Sequence, residues 1–115
     1  MLFRSRADNI AFDYFRGVAA AGSLVLFFGD LGSFGVEIPI SAIFPGSLGT
    51  ACVSPSFQQL GSAIADPTGE AFLQLVFPNA LRSQVAGFAI VQQAVEFDVA
   101  GGGIFHLSPC GSQQL

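Results

Sequence analysis

The chain has 115 residues, 51% hydrophobic and 10% charged, with 13 Phe, 14 Gly, no Trp and a formal net charge of −4. That length fits one domain with a real core, the apolar content excludes a disordered chain, and the absence of any Lys leaves too few charges to clothe a helical bundle. The basic residues are Arg4, Arg6, Arg16 and Arg82, which make no interleaved basic and aromatic surface, so nucleic-acid binding lacks its electrostatic basis.

The first five residues stand apart. Leu2 to Ser5, "LFRS", match the translated end of a common sequencing adapter. Residues 1–5 are therefore expected to be a non-native start on a metagenomic fragment, and residues 6–115 a single domain. The first strand is expected over 10–16, with Ile10, Phe12 and Tyr14 on one face. The apolar run 17–29 lies between Arg16 and Asp30 and is too short for a membrane-spanning helix of roughly 20 residues. Asp8 and Asp13 precede it, against a signal peptide, so it predicts a loop and a strand over 23–29.

Further strands are expected over 35–40, where Pro39 marks an edge, and over 50–54 and 60–65. "ADPTG", residues 65–69, then fits a type I turn: Asp66 caps, Pro67 fixes φ, and Gly69 accepts positive φ. Asp66 and Glu70 are also the only candidate calcium ligands, but they lack the alternating Asp/Asn ladder such sites use. Residues 70–78 alternate Ala71, Leu73, Leu75 and Phe77 against Phe72, Gln74 and Val76, the period of a strand. Pro78 and Gly87 confine at most one short helix near residues 79–86.

Residues 88–98 alternate Ala89, Val91, Gln93, Val95 and Phe97 against Phe88, Ile90, Gln92, Ala94 and Glu96. The first set is expected to face the core, with the Gln93 amide bonded to neighbouring backbone. A glycine turn leads to the last strand, 103–108. Turn signals this closely spaced predict an all-β fold: an antiparallel β-sandwich of about seven to nine strands, Ig-like or jelly-roll-like.

Few residues could carry chemistry. His106 is the only histidine, so any histidine-dependent triad or metal site must use it; an outward-facing strand residue is the expected role. No G-x-S-x-G occurs, and "GDLGSFG", residues 29–35, lacks the Lys and the helix of a phosphate loop. Glu96 and Asp98 share a strand face and could pair with Glu37 or Glu70 as glycosidase carboxylates, but a domain without long loops offers little room for a substrate cleft. A carbohydrate platform is weakly supplied, with Tyr14 the only polar aromatic. Cys52 and Cys110 follow no metal-ligand spacing; they are either two buried small hydrophobes or one disulfide in an exported protein.

The order "PGSLGTAC", then "ADPTGEAFLQLVFPNALRSQVAGFAIVQQAVEFD", then "GGIFHLS" resembles the β-sandwich domain near the C-terminus of many large secreted proteins from GC-rich bacteria. Matching positions are Cys52, Asp66, Gly69, Pro78, Leu81, Gly87, Gln93, Ala94, Asp98, Leu107 and Ser108. Ala51 stands where that family often has Gly, and Cys110 is an addition. The resemblance implies export and a non-catalytic structural, adhesive or surface-anchoring module, partnered by other domains of the same protein or by cell-surface components. It carries no catalytic residue, metal or cofactor. The alternative is a small hydrolase or carbohydrate-active or carbohydrate-binding domain using acidic residues and His106.

Overall fold

A computed structural model of the chain describes residues 2–5, 9–31, 36–53, 57–76, 84 and 86–114. These form ten strands: β1 (Leu2–Ser5), β2 (Asn9–Phe15), β3 (Leu24–Leu31), β4 (Val36–Pro39), β5 (Thr50–Val53), β6 (Gln58–Ile64), β7 (Glu70–Val76), β8 (Ala89–Asp98), β9 (Ile104–Leu107) and β10 (Gly111–Gln114). All eight expected strands are present, and β1 and β10 are added at the two ends. The expected helix falls, but for Gln84 and Ala86, outside the described residues, as does Pro78. Among the described residues no helix is long and apolar enough to cross a membrane.

All strand pairs are antiparallel, in three sheets. One sheet runs β1-β2-β7. The second runs β10-β8-β3-β6, with β9 pairing β8 beyond the end of β10. These two pack face to face. Phe12 and Tyr14 of β2 and Ala71 of β7 meet Val25 and Phe27 of β3 and Ile90 and Ala94 of β8, all buried, with Leu60, Leu73 and Leu75 at the margin. Phe12 and Phe27 are fully buried, with tilted rings 6.1 Å apart. A buried side chain of this size contributes about 1.5–3 kcal/mol relative to exposure, so the pair anchors the sandwich.

The core-facing side of β8 is the opposite of the expected one. Ile90, Gln92, Ala94 and Glu96 point between the two sheets. Val91 and Gln93 are nonetheless buried too, because the outer face of β8 has its own cover. A strand covered on both sides shows no contrast between its faces, and period-two reading then cannot choose. The cover is a small third layer. It comprises β4, the 3-10 turn Ile40–Ala42 and β5, and Pro39 sits in it as expected of an edge residue, opposite Thr50.

Among the described residues, four attachments pin this layer to the sandwich. Gln93 donates to the carbonyls of Thr50 at 2.6 Å and Ser108 at 2.8 Å, and accepts from the Cys52 amide at 3.2 Å. The backbone of Leu48 donates to Phe105 and accepts from Leu107, both at 2.8 Å. The Phe44 and Phe105 rings lie 4.8 Å apart. Finally, Cys52 and Cys110 are joined in a disulfide, with Cα atoms 6.2 Å apart. The sequence left the two cysteines open between free thiols and a bridge; the fold brings them together.

The Asp66 turn carries the chain from β6, in one sheet, to β7, in the other. Gly69 donates to the Asp66 carbonyl at 2.8 Å, closing the turn, while the Asp66 carboxylate accepts from the Thr68 amide, the Thr68 hydroxyl and the Glu70 amide. Those bonds hold its pKa below the usual value, the Thr68 hydroxyl contributing most. With Oδ1 taking three donors, the group is a turn cap. We expect the melting temperature to be the same in millimolar calcium and in chelator; a calcium-dependent rise lost in Glu70→Gln would restore the metal reading.

Gly69 has φ +84°, and a Cβ there would collide with the backbone of Gly17. Its carbonyl accepts from the Arg16 amide at 3.1 Å, so the turn also fixes where β2 ends. Gly69→Val should therefore cost at least about 3 kcal/mol, since left-handed strain adds to a clash with backbone that cannot move aside. Urea denaturation measures this, and a loss under 1 kcal/mol would mean the turn tolerates a side chain.

Candidate functional site

The strongest concentration of chemistry-bearing groups lies at one end of the sandwich, where β2 and β8 cross. Tyr14 follows Phe12 on the inward face of β2, and Arg16 continues that side just past the strand. On β8, Glu96 and Asp98 occupy the same inward face. The Tyr14 hydroxyl donates to Glu96 Oε1 at 2.6 Å, and Arg16 makes a two-pronged contact with the same carboxylate, Nε to Oε1 at 2.6 Å and Nη2 to Oε2 at 2.7 Å. Arg16 Nη2 also reaches Asp98 Oδ2 at 3.0 Å and the Ala19 carbonyl at 3.3 Å. The fork of a guanidinium matches the two carboxylate oxygens, which makes this the stronger kind of ion pair.

Asp98 extends the cluster. Its Oδ1 accepts from the Gly101 amide at 2.8 Å, and Oδ2 lies 3.2 Å from His106 Nε2 across the β8–β9 pair. His106 is not the outward-facing residue expected. Its side chain is partly buried against Asp98, because β9 pairs with the end of β8 and places His106 opposite Glu96.

Burial sets the electrostatics. Glu96 is fully buried, and burial alone would raise its pKa; the hydrogen bonds from Arg16, Tyr14 and the Ser23 hydroxyl outweigh that and leave it below the ordinary 4.5. Burial, then the bond to Glu96, pushes the Tyr14 phenol well above its ordinary 10.0. The Arg16 pKa is raised, chiefly by its bond to Glu96. A lowered acid stabilises the fold above its unfolded pKa and loses that effect as pH falls; a raised phenol stabilises below its unfolded pKa and loses it on the alkaline side. Stability is expected to fall below about pH 4.5 through Glu96 and above pH 10 through Tyr14. Melting temperatures measured across pH check this, and Tyr14→Phe should flatten the alkaline limb.

What this arrangement can do chemically is narrow. Every oxygen of Glu96 is engaged, and the residue has no exposed surface, so a substrate cannot reach it as a nucleophile or general acid. Glu37 lies on β4 opposite Cys52, and Glu70 opens β7 opposite Phe15, so neither joins the Glu96–Asp98 pair. Among the described residues no hydroxyl or thiol hydrogen-bonds to His106, and no group of three or more His, Cys, Asp or Glu could hold a metal. Tyr14 is buried, which removes the one polar aromatic from any sugar-binding platform.

The fold and site define a class: an all-β, antiparallel sandwich, bridged by a disulfide and locked at one end by a buried ionic cluster. No protein family, curated protein or solved structure matches the chain. Sequence reading placed Glu96, Asp98 and His106 among the candidates but missed Arg16 and Tyr14. The available signal was the matching i, i+2 pattern: Tyr14 and Arg16 on one side of one strand, Glu96 and Asp98 on one side of another.

Proposed function

We propose that this chain is a non-catalytic extracellular module, serving as a structural, adhesive or surface-anchoring domain of a larger secreted protein. The observation that carries the reading is the Cys52–Cys110 bridge, because structural disulfides persist in oxidising, extracytoplasmic compartments. The self-satisfied cluster supports it: both Glu96 oxygens are taken by Arg16 and Tyr14, which cross-links two sheets and leaves Glu96 nothing to offer a substrate. The likeness to the C-terminal β-sandwich domain of large secreted bacterial proteins points the same way, and the partners that follow are neighbouring domains or cell-surface components.

One contact favours a second reading, a small hydrolase or carbohydrate-active domain. His106 and Asp98 sit at 3.2 Å, the spacing of a base and its orienting acid. Turnover of fluorogenic esters and glycosides by the wild type and by His106→Asn separates the two. Rates equal to buffer for both proteins are expected; turnover that His106→Asn abolishes, in a variant with unchanged circular dichroism, would establish the hydrolase instead.

A further inference from the structure

The layer over the outer face of β3, β8 and β9 does not close down on it completely. Between them lies a cavity of about 290 Å3, open at one side. Leu26 and Val95 form part of its floor, Leu107 a wall, and Ala51 part of its roof. Aromatic rings supply much of the rest: Phe28, Phe44, Phe57 and Phe105 all line it, with Phe28 and Phe57 stacked at 5.7 Å. Among the described residues no charged side chain lines it. The one polar residue among the described lining, Gln93, has already committed its amide to Thr50, Cys52 and Ser108.

We propose that this cavity binds a neutral aromatic group of one or two rings. Three features select that chemistry. The described lining offers no charged side chain and no unused polar side chain, so a charged or strongly polar ligand would lose its hydration without compensation. The volume suits a compact molecule, since apolar cavities of about 150 Å3 accept a benzene ring, and this one is nearly twice as large. The ring-rich wall allows the offset and edge-on contacts that aromatic groups prefer. The cavity is also held open rather than left as a bare sheet face. Its roof is fixed by the disulfide, by the Gln93 bonds and by the Leu48 backbone pairing to β9, so the site is formed before a ligand arrives. This inference stands independently of the non-catalytic reading.

Titration of the oxidised full chain with naphthalene, and with the neutral fluorophore N-phenyl-1-naphthylamine, tests it. Saturable one-to-one binding is expected, with methyl NMR shifts concentrated on Leu26, Val95 and Leu107. Ala51→Phe fills the cavity and should weaken binding at least tenfold without lowering the melting temperature, while Val18→Ser, at a highly exposed position outside the lining, should leave it unchanged. Binding that does not saturate, that Ala51→Phe leaves intact, or that shifts surface methyls instead would overturn the proposal. So would concentration-dependent dimerisation that excludes naphthalene, because the cavity would then hold an aromatic side chain from a second copy. If Ala51→Phe does not fold, the methyl shifts of the wild type decide.

Discussion

Reduction of the Cys52–Cys110 bridge should lower the unfolding free energy by about 4 kcal/mol, the chain-entropy value for a closed loop of 58 residues. For a domain of this size that corresponds to a fall in melting temperature of roughly 15 °C. The bridge acts first on the unfolded chain, whose freedom it restricts. It acts also on the native state, because Cys52 sits in β5 beside the backbone groups that Gln93 holds, and Cys110 directly precedes β10. Loss of the bridge should therefore loosen the third layer before the sandwich opens. Urea denaturation with and without reductant measures the first effect, and amide hydrogen exchange the second. Faster exchange in β4 and β5 than in β2 and β8 is the expected pattern after reduction; uniform acceleration would mean that the layer is not separately held.

Replacement of Arg16 by Leu should cost about 3–5 kcal/mol, the penalty for leaving a buried charge without its partner. The loss should be unequal between the two sides of the pair. Glu96 has no exposed surface, whereas the Arg16 side chain is 25% exposed and also contacts Asp98. Glu96→Leu leaves a cation that water and Asp98 still serve, and should be the milder change. The pH dependence gives a sharper distinction. With Arg16 gone, burial dominates at Glu96 and its pKa rises, so Arg16→Leu should gain stability as pH falls from 8 toward 5, while the wild type does not. The double variant Arg16→Leu with Glu96→Leu should recover much of what Arg16→Leu loses, with the coupling read from the double-mutant cycle. Equal losses for the two single changes, with no gain on acidification, would show that the pair contributes packing rather than charge compensation.

The parts of this structure that sequence made legible are those governed by local rules. Period-two alternation located β2 and β7 and grouped Phe12 with Tyr14, and Ala71 with Leu73, on the faces they share in the core. Turn chemistry located the corner at Asp66 and Gly69 residue by residue. The expectation that a buried Gln93 must find backbone partners also held, and it found three.

What stayed hidden depends on long-range meetings. The core face of β8 could not be chosen because both of its faces are covered. The contact between Arg16 and Glu96 spans 80 residues and follows no spacing rule. β10 carries the polar pattern "GSQQ", which gives no strand signal on its own and is ordered here by pairing with β8. The cavity is likewise invisible in sequence, since it exists only between two layers joined by residues far apart in the chain.

The most direct measurement is the intact mass of the folded protein recovered from its source organism, alkylated before and after reduction. A mass about 2 Da below the reduced form, with no alkylation before reduction and a single peptide pair linking Cys52 to Cys110, is the expected result for an exported, bridged module. Full alkylation of both cysteines before reduction, in a protein that is folded, would contradict it.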